Sequence, residues 1–362
     1  VQPLPAQARA PFLDALRRLA LVGILAVNLE LLAGVGMYAA LHGVSSGYTL
    51  GREILAFFFS GKFYTIFSIL FGLGLALQYR RFSEAGLDAL GLLRRRLGWL
   101  LGLGALHGVF LFEGDILATY ALVGLFALRY LKQPPPPGLA VGFLGGGYGI
   151  YLVIVWLTRN TEVWSGLYSN EIFRTGSYWA VTSERLFNWL GGTLAGTLIQ
   201  GVELLGLFVL GMYLAPRWQA LGPATLWRVV AVGLLIGVPA NLYNAAHPDL
   251  QPLRGLGGLA FALVYMALFR LLWPRLGWLH NLQYAGRMPL SNYLLQSLVM
   301  STVFYGYGLG LYGQVNPLWF PALAVGFVAF QTALSRWWLA RFGQGPLERL
   351  WRSFTYRSGP LA

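Results

Sequence analysis

The chain contains no cysteine, which excludes a thiol nucleophile, a disulfide framework and any cysteine-held metal or cluster. Charge is scarce too: Asp, Glu, Lys and Arg make up 11% of 362 residues, and lysine occurs only at Lys62 and Lys132. So little charge cannot clothe the surface of a soluble domain of this size. No glycine-rich phosphate loop appears, which argues against a nucleotide-driven pump. The four histidines lack ligand spacing, so no metal site is expected.

Apolar sequence is abundant. At 57% hydrophobic residues and a mean hydropathy of +0.59, the chain carries more apolar surface than one soluble core hides and reads as an all-α, polytopic membrane protein. The net charge of +13 lies in short clusters between apolar runs and forms no continuous face. Nucleic acid is therefore not an expected partner, and the lipid bilayer is.

Runs of about 20 apolar residues predict ten spans, near 17–38, 56–79, 96–112, 115–132, 138–158, 188–214, 224–243, 256–273, 287–309 and 317–340. They form one domain over 1–362, with the prolines at 134–137 stiffening the link between the first four spans (1–133) and the other six (138–362). With the amino terminus inside, alternation puts 20 basic residues on the cytoplasmic side, from Arg9, Arg17 and Arg18 to Arg357. Only five, Arg52, Arg159, Arg174, Arg185 and Arg254, lie outside. The positive-inside rule selects that orientation, with both termini cytoplasmic. The chain opens at Val1, which points to a trimmed start; Asn28 and Glu30 argue against a cleavable signal in the first run.

The outer loop 158–187 carries Trp164, Tyr168, Phe173, Tyr178 and Trp179 among polar residues, a mixture suited to an interfacial segment with a short amphipathic helix. Small-residue spacing at Gly98–Gly102, Gly104–Gly108, Gly142–Gly146, Gly233–Gly237 and Gly306–Gly310 predicts close helix packing.

Ionisable groups at membrane depth are costly and point to function. Followed from their expected sides, Glu30, Lys62, His107, Glu203 and Asp115 fall between the midplane and the outer surface. They are expected to share a polar pocket reachable from outside. The hairpin LGWLLGLGALHGVFLFEGDILATYALVGLFAL stands out, because His107 sits eight residues before Asp115, with Glu113 between. An imidazole oriented by a carboxylate suits a general base or a nucleophile. Asp115, or Glu113 in its stead, would orient the ring, and Asn28 or Asn292 would donate to a developing oxyanion. Asn292 and Gln296, four apart on one helix face, either line the pocket or bind helices together.

Five stretches in order, FLDALRRLALVGILAVN, GKFYTIFSILFGLGLALQ, ALHGVFLFEGDILATYALVG, GRMPLSNYLLQS and GPLERLWRSFTY, resemble the YeiB-like bacterial membrane proteins, a family defined by a domain of unknown function (number four-one-eight). The resemblance runs from about Phe12 to Tyr356. That family is grouped with transmembrane acyltransferases such as the lysosomal heparan-glucosaminide acetyltransferase, which pass an acyl group from a cytosolic thioester to an acceptor across the membrane. The resemblance places Asp14 and Arg17 at the cytoplasmic end of the first span and Asn28 at the asparagine after that run. It also sets His42 beside His107 as a candidate essential histidine. Arg18 departs from the pattern, which commonly has glycine there.

The expected function is acyl transfer from acetyl-CoA or another acyl-CoA to a small-molecule or lipid-linked acceptor. Arg17, Arg94, Arg95 and Arg287 would receive the donor phosphates. The alternative is a proton-coupled carrier or channel for a small solute or lipid-like molecule, in which the same acids relay protons.

Overall fold

The computed structural model describes residues 11–133, 135–158 and 170–356, which form helices joined by turns and loops, with no strand among them. Arg9, Arg159, Trp164, Tyr168 and Arg357, each expected on one side of the membrane or at its interface, lie outside the described residues.

The order is α1 (Pro11–Leu32), α2 (Val35–His42), α3 (Ser46–Phe58), α4 (Lys62–Glu84), α5 (Ala89–Phe110), α6 (Leu117–Ala127) and α7 (Pro137–Thr158). A short α8 (Glu171–Thr175) leads into α9 (Tyr178–Ile199), α10 (Gly201–Leu214), α11 (Pro223–Ala246) and α12 (Arg254–Leu272). The chain closes with α13 (Leu282–Gly286), α14 (Pro289–Phe304), α15 (Phe320–Phe342) and α16 (Pro346–Tyr356).

Every expected span contains helix, but among the described residues five segments are long and apolar enough to cross a membrane, or up to seven if each bent pair is one span. Two reasons account for the difference from ten. The fourth and ninth expected spans shorten to the 11 residues of α6 and the 16 of α14, and α5 carries Arg94, Arg95 and Arg96 within its helix. The first and sixth are broken, by 48° between α1 and α2 and by 61° between α9 and α10. Gly34 makes the first break with a φ of 68°, and the Tyr312 ring packs where its side chain would be.

A close helix crossing joins α4 to α10. A Cβ on Gly72 would stand 2.1 Å from the Phe208 carbonyl oxygen, and one on Gly211 would stand 2.1 Å from that of Ile69. Only glycine at both positions lets the backbones touch. Gly104, Gly108, Gly233 and Gly237 also sit against neighbours, whereas Gly98, Gly102 and Gly142 face open space.

The aromatic outer loop is not simply interfacial. Phe173 is buried, stacked on Tyr305 at 4.9 Å between ring centres, while Trp179 is exposed. The loop ends early because Ser177 caps α9, its side chain accepting from the Ala180 N–H, ten residues before the expected start of the sixth span.

Candidate functional site

The site is built on the turn between α5 and α6. The His107 carbonyl closes α5 by accepting from both Leu111 and Phe112 N–H at 2.9 Å. Asp115 opens α6, its Oδ2 accepting from Ala118 N–H at 2.9 Å, as a carboxylate at the positive end of a helix should. The two helix ends approach closely because Gly104 lies one turn before His107; a Cβ there would be 2.4 Å from the Ala118 nitrogen.

This geometry brings Asp115 Oδ1 to 2.8 Å from His107 Nδ1, with both side chains fully buried. The other imidazole nitrogen, Nε2, lies 2.8 Å from the Ser297 hydroxyl on α14. Because Asp115 holds the proton on Nδ1, Nε2 presents its lone pair to Ser297. Asp115, His107 and Ser297 thus form an acid, imidazole and hydroxyl chain drawn from three helices. Ser297 is not among the residues that the sequence singles out. Its only signal is its place next to Gln296 in a polar helix stretch.

A cavity of about 370 Å³ leads toward this chain. One end is ringed by half-buried Arg17, Arg81, Arg96, Arg287 and Arg352 with Asp14, Gln78 and Glu348. Its walls are apolar, from Leu21, Ile24, Phe67, Phe71 and Leu100, and its far end reaches Ile116, Tyr120 and Tyr293. The Tyr293 ring lies 4.9 Å from the His107 ring. The volume falls within the ~300–1,000 Å³ range of small-molecule sites. Between Asp14 and Ile24 the cavity follows α1 for ten residues, roughly 15 Å of helix rise.

Helix α16 forms one side of the mouth. Trp351 donates from its indole to the Arg96 carbonyl at 3.0 Å and lies under the Arg96 guanidinium at 3.7 Å. Glu348 accepts from the Leu290 and Ser291 N–H groups at 2.8 and 3.0 Å and from the Ser291 hydroxyl, capping α14 from a neighbouring helix. Burial pushes the Glu348 carboxyl above its ordinary range, against the pull of the Ser291 hydroxyl and these amides.

The other expected site residues scatter. Arg17 and Arg287 line the mouth, but Arg94 and Arg95 are exposed and do not; Arg96, Arg81 and Arg352 stand there instead. Glu113 turns away from His107 and faces buried Arg185 at 3.8 Å. Exposed His42 lies 3.3 Å from Gln314 on another part of the surface. Asn28 is half-buried on α1 and makes none of the hydrogen bonds of the Asp115 chain.

The shared outer hollow is not formed, because its members find nearer partners. Glu30 pairs with Arg52 at 3.3 Å, which also binds Asp249. Lys62 donates to the Ala56 carbonyl at the end of α3. Glu203 lies in the first turn of α10, where the positive charge of Arg254 acts on it. None of the three lines the cavity among the described residues.

Asn292 and Gln296 bind helices together. The Asn292 amide donates to the Ala285 carbonyl and the Ser335 hydroxyl, both at 3.0 Å, so it is not available to an oxyanion. Gln296 donates to Gln331, which also accepts from Arg18. Arg18 is fully buried, donating to the Val328 carbonyl at 2.7 Å, so it sits within the bundle rather than with Arg17 at the mouth.

Comparison with known proteins places the chain. It is 31% identical to the uncharacterised protein YxaH of Bacillus subtilis, over 99% of this chain and 97% of that one. The chain belongs to the YeiB-like DUF418 family. YeiB of Escherichia coli, also uncharacterised, is 29% identical over 96% of this chain and 97% of its own length. A third relative, an uncharacterised 39.9 kDa protein of Bacillus acidopullulyticus, is 27% identical over 98% of this chain. The family model, described as a protein of unknown function (DUF418), matches residues 216–358. That DUF418 segment holds Ser297, Tyr293 and, from the mouth, Arg287, Glu348 and Arg352, whereas His107 and Asp115 lie outside it, in the part covered by the full-length relatives. No solved structure matches.

Proposed function

We propose that this DUF418 protein is an acyltransferase-like enzyme of the bacterial cytoplasmic membrane, moving an acyl group from a cytosolic thioester to a small-molecule or lipid-linked acceptor. The observation that carries this reading is the cavity, cationic at its mouth, apolar along its length, and ending at Tyr293 beside His107.

Its form matches an acyl-CoA. Five arginines around the mouth suit the phosphates, which arginine binds with paired N–H groups. A pantetheine arm has about a dozen bonds from phosphate to sulfur, roughly 15 Å when extended at ordinary bond lengths, which is the depth estimated from the rise of α1. The acyl carbon would then arrive near Tyr293. His107 would act there as general base, with Asp115 holding the ring in the required tautomer.

Charge distribution supports ten membrane-embedded segments with both termini cytoplasmic. The start of α1, the end of α4, the start of α5 and the end of α15 all meet at the mouth, and alternation assigns every one of them to the cytoplasm. The cavity would therefore open toward a cytosolic donor.

Purified protein incubated with acetyl-CoA and, separately, a long-chain acyl-CoA should release CoA thiol. A chain without cysteine contributes no thiol background. Absence of thiol release with both donors, together with solute uptake into liposomes driven by a pH gradient, would replace this reading with the carrier.

A further inference from the structure

Three features decide how the hydroxyl next to His107 is used. The first is direction. A serine within a helix ordinarily returns its hydroxyl to the carbonyl four residues back, as Ser68 does to Tyr64 at 2.7 Å and Thr332 does to Val328 at 2.8 Å. Ser297 is 3.5 Å from the Tyr293 carbonyl but 2.8 Å from His107 Nε2. Its hydroxyl is thus held on the imidazole.

The second is occupancy of the ring. His107 has Asp115 on Nδ1 and Ser297 on Nε2. The only lone pair the imidazole offers is covered by the serine, so the ring is placed to take a proton from Ser297 and not to attack a carbonyl itself. The third is reach. Ser297 lies one helical turn beyond Tyr293, on the same face of α14, and Tyr293 lines the deep end of the cavity.

We infer that Ser297 is the acyl-accepting nucleophile of this protein, so that transfer runs through a serine ester. The inference rests on the acyl-transfer reading above. In the first half-reaction, Ser297 Oγ bonds to the thioester carbonyl carbon while its proton passes to His107 Nε2. The carbon–sulfur bond then breaks, and the departing sulfur takes that proton to leave as the thiol. In the second, an acceptor hydroxyl gives its proton to Nε2 and bonds to the acyl carbon. The bond to Oγ breaks and Oγ recovers the proton, so the enzyme is restored without net redox change. Tyr293 stands between the cavity and the His107 ring, so the thioester would reach Ser297 past that side chain.

The test uses the full chain in detergent with radiolabelled acetyl-CoA and palmitoyl-CoA as probes, acid quenching, and peptide mapping by mass. The expected result is one acyl group on the peptide containing Ser297, resistant to neutral hydroxylamine. In Ser297→Cys the bound label should become a thioester labile to neutral hydroxylamine, a change that no structural role of the side chain produces. Ser297→Ala should carry no label and release CoA at least ~10³-fold more slowly. Label on His107, or transfer by Ser297→Ala at the wild-type rate, overturns the serine while leaving acyl transfer in place. Wild-type protein that releases no CoA from either probe overturns acyl transfer, and the serine ester with it.

Discussion

Two carboxylates stand two residues apart in the turn between α5 and α6 and meet opposite fates. Asp115 has one oxygen on the His107 ring and the other on the Ala118 amide, both within 2.9 Å. Glu113 is equally buried, yet neither of its oxygens has a hydrogen-bond partner, and its nearest cation is Arg185 Nε at 3.8 Å. Arg185 directs its other nitrogens to the Phe110 carbonyl and the Tyr307 hydroxyl, both at 2.9 Å. The Asp115 side of the turn is a directional chain with each bond specified. On the Glu113 side, charge compensation holds the end of α5, the start of α9 and the turn after α14 together without aligning any group for proton transfer.

That contrast can be broken at three levels. The largest effect belongs to Asp115→Asn, which preserves shape but disturbs the tautomer that aims Nε2 at Ser297. The expectation is a fall in kcat of about 10³-fold or more, with KM for the acyl donor and the melting temperature little changed. An equal loss of stability would make Asp115 a structural group like Glu113.

On the other side, Arg185→Met should act on stability instead. It leaves the Glu113 carboxylate buried without a cation, at a cost of about 3–5 kcal/mol, read as a lower melting temperature in detergent. Adding Glu113→Gln should recover the part due to the unpaired carboxylate, leaving the loss of the Arg185 bonds to Phe110 and Tyr307. If the single variant melts like the wild type, the ion pair contributes little to holding these helix ends.

The smallest effect concerns a third buried carboxylate, Glu348, outside the spans. Burial raises its folded-state pKa above the ordinary carboxylate value. The folded protein therefore retains a proton that the unfolded chain releases, and Glu348 lowers stability as pH rises from the ordinary value through the raised one. Glu348→Gln should flatten that part of the melting profile while costing about 1 kcal/mol of capping. A steeper slope in the variant would reverse the assigned sign.

The His107–Asp115 pair was legible in sequence because both groups lie within one short hairpin, where chain connectivity limits how far apart they can be. Membership in the YeiB-like family was legible too, from stretches spread along nearly the whole chain. Ser297 was not, because α14 also carries Ser291, Asn292, Gln296 and Ser301. Which of these faces α5 is a rotation set by tertiary packing. Arg94, Arg95 and Arg96 pose the same problem: successive helical residues diverge by about 100°, and only Arg96 meets Trp351. Span counting suffered because the chain stays apolar through the breaks at Gly34 and Gln200. The outer pocket failed as an expectation because equal depth places groups in one layer without specifying which face of each helix they occupy.

Helix α16 ties two remote ends of the sequence to one task. Glu348 secures the first turn of α14, and three residues later Trp351 secures the start of the α5 stretch that leads to His107. A chain cut after Gly345 would therefore release both supports of the proton chain at once, although the cut lies well outside it. Such a protein could keep its hydrophobic bundle, insert normally and still be inert, because the histidine and the serine would no longer be held at a common distance.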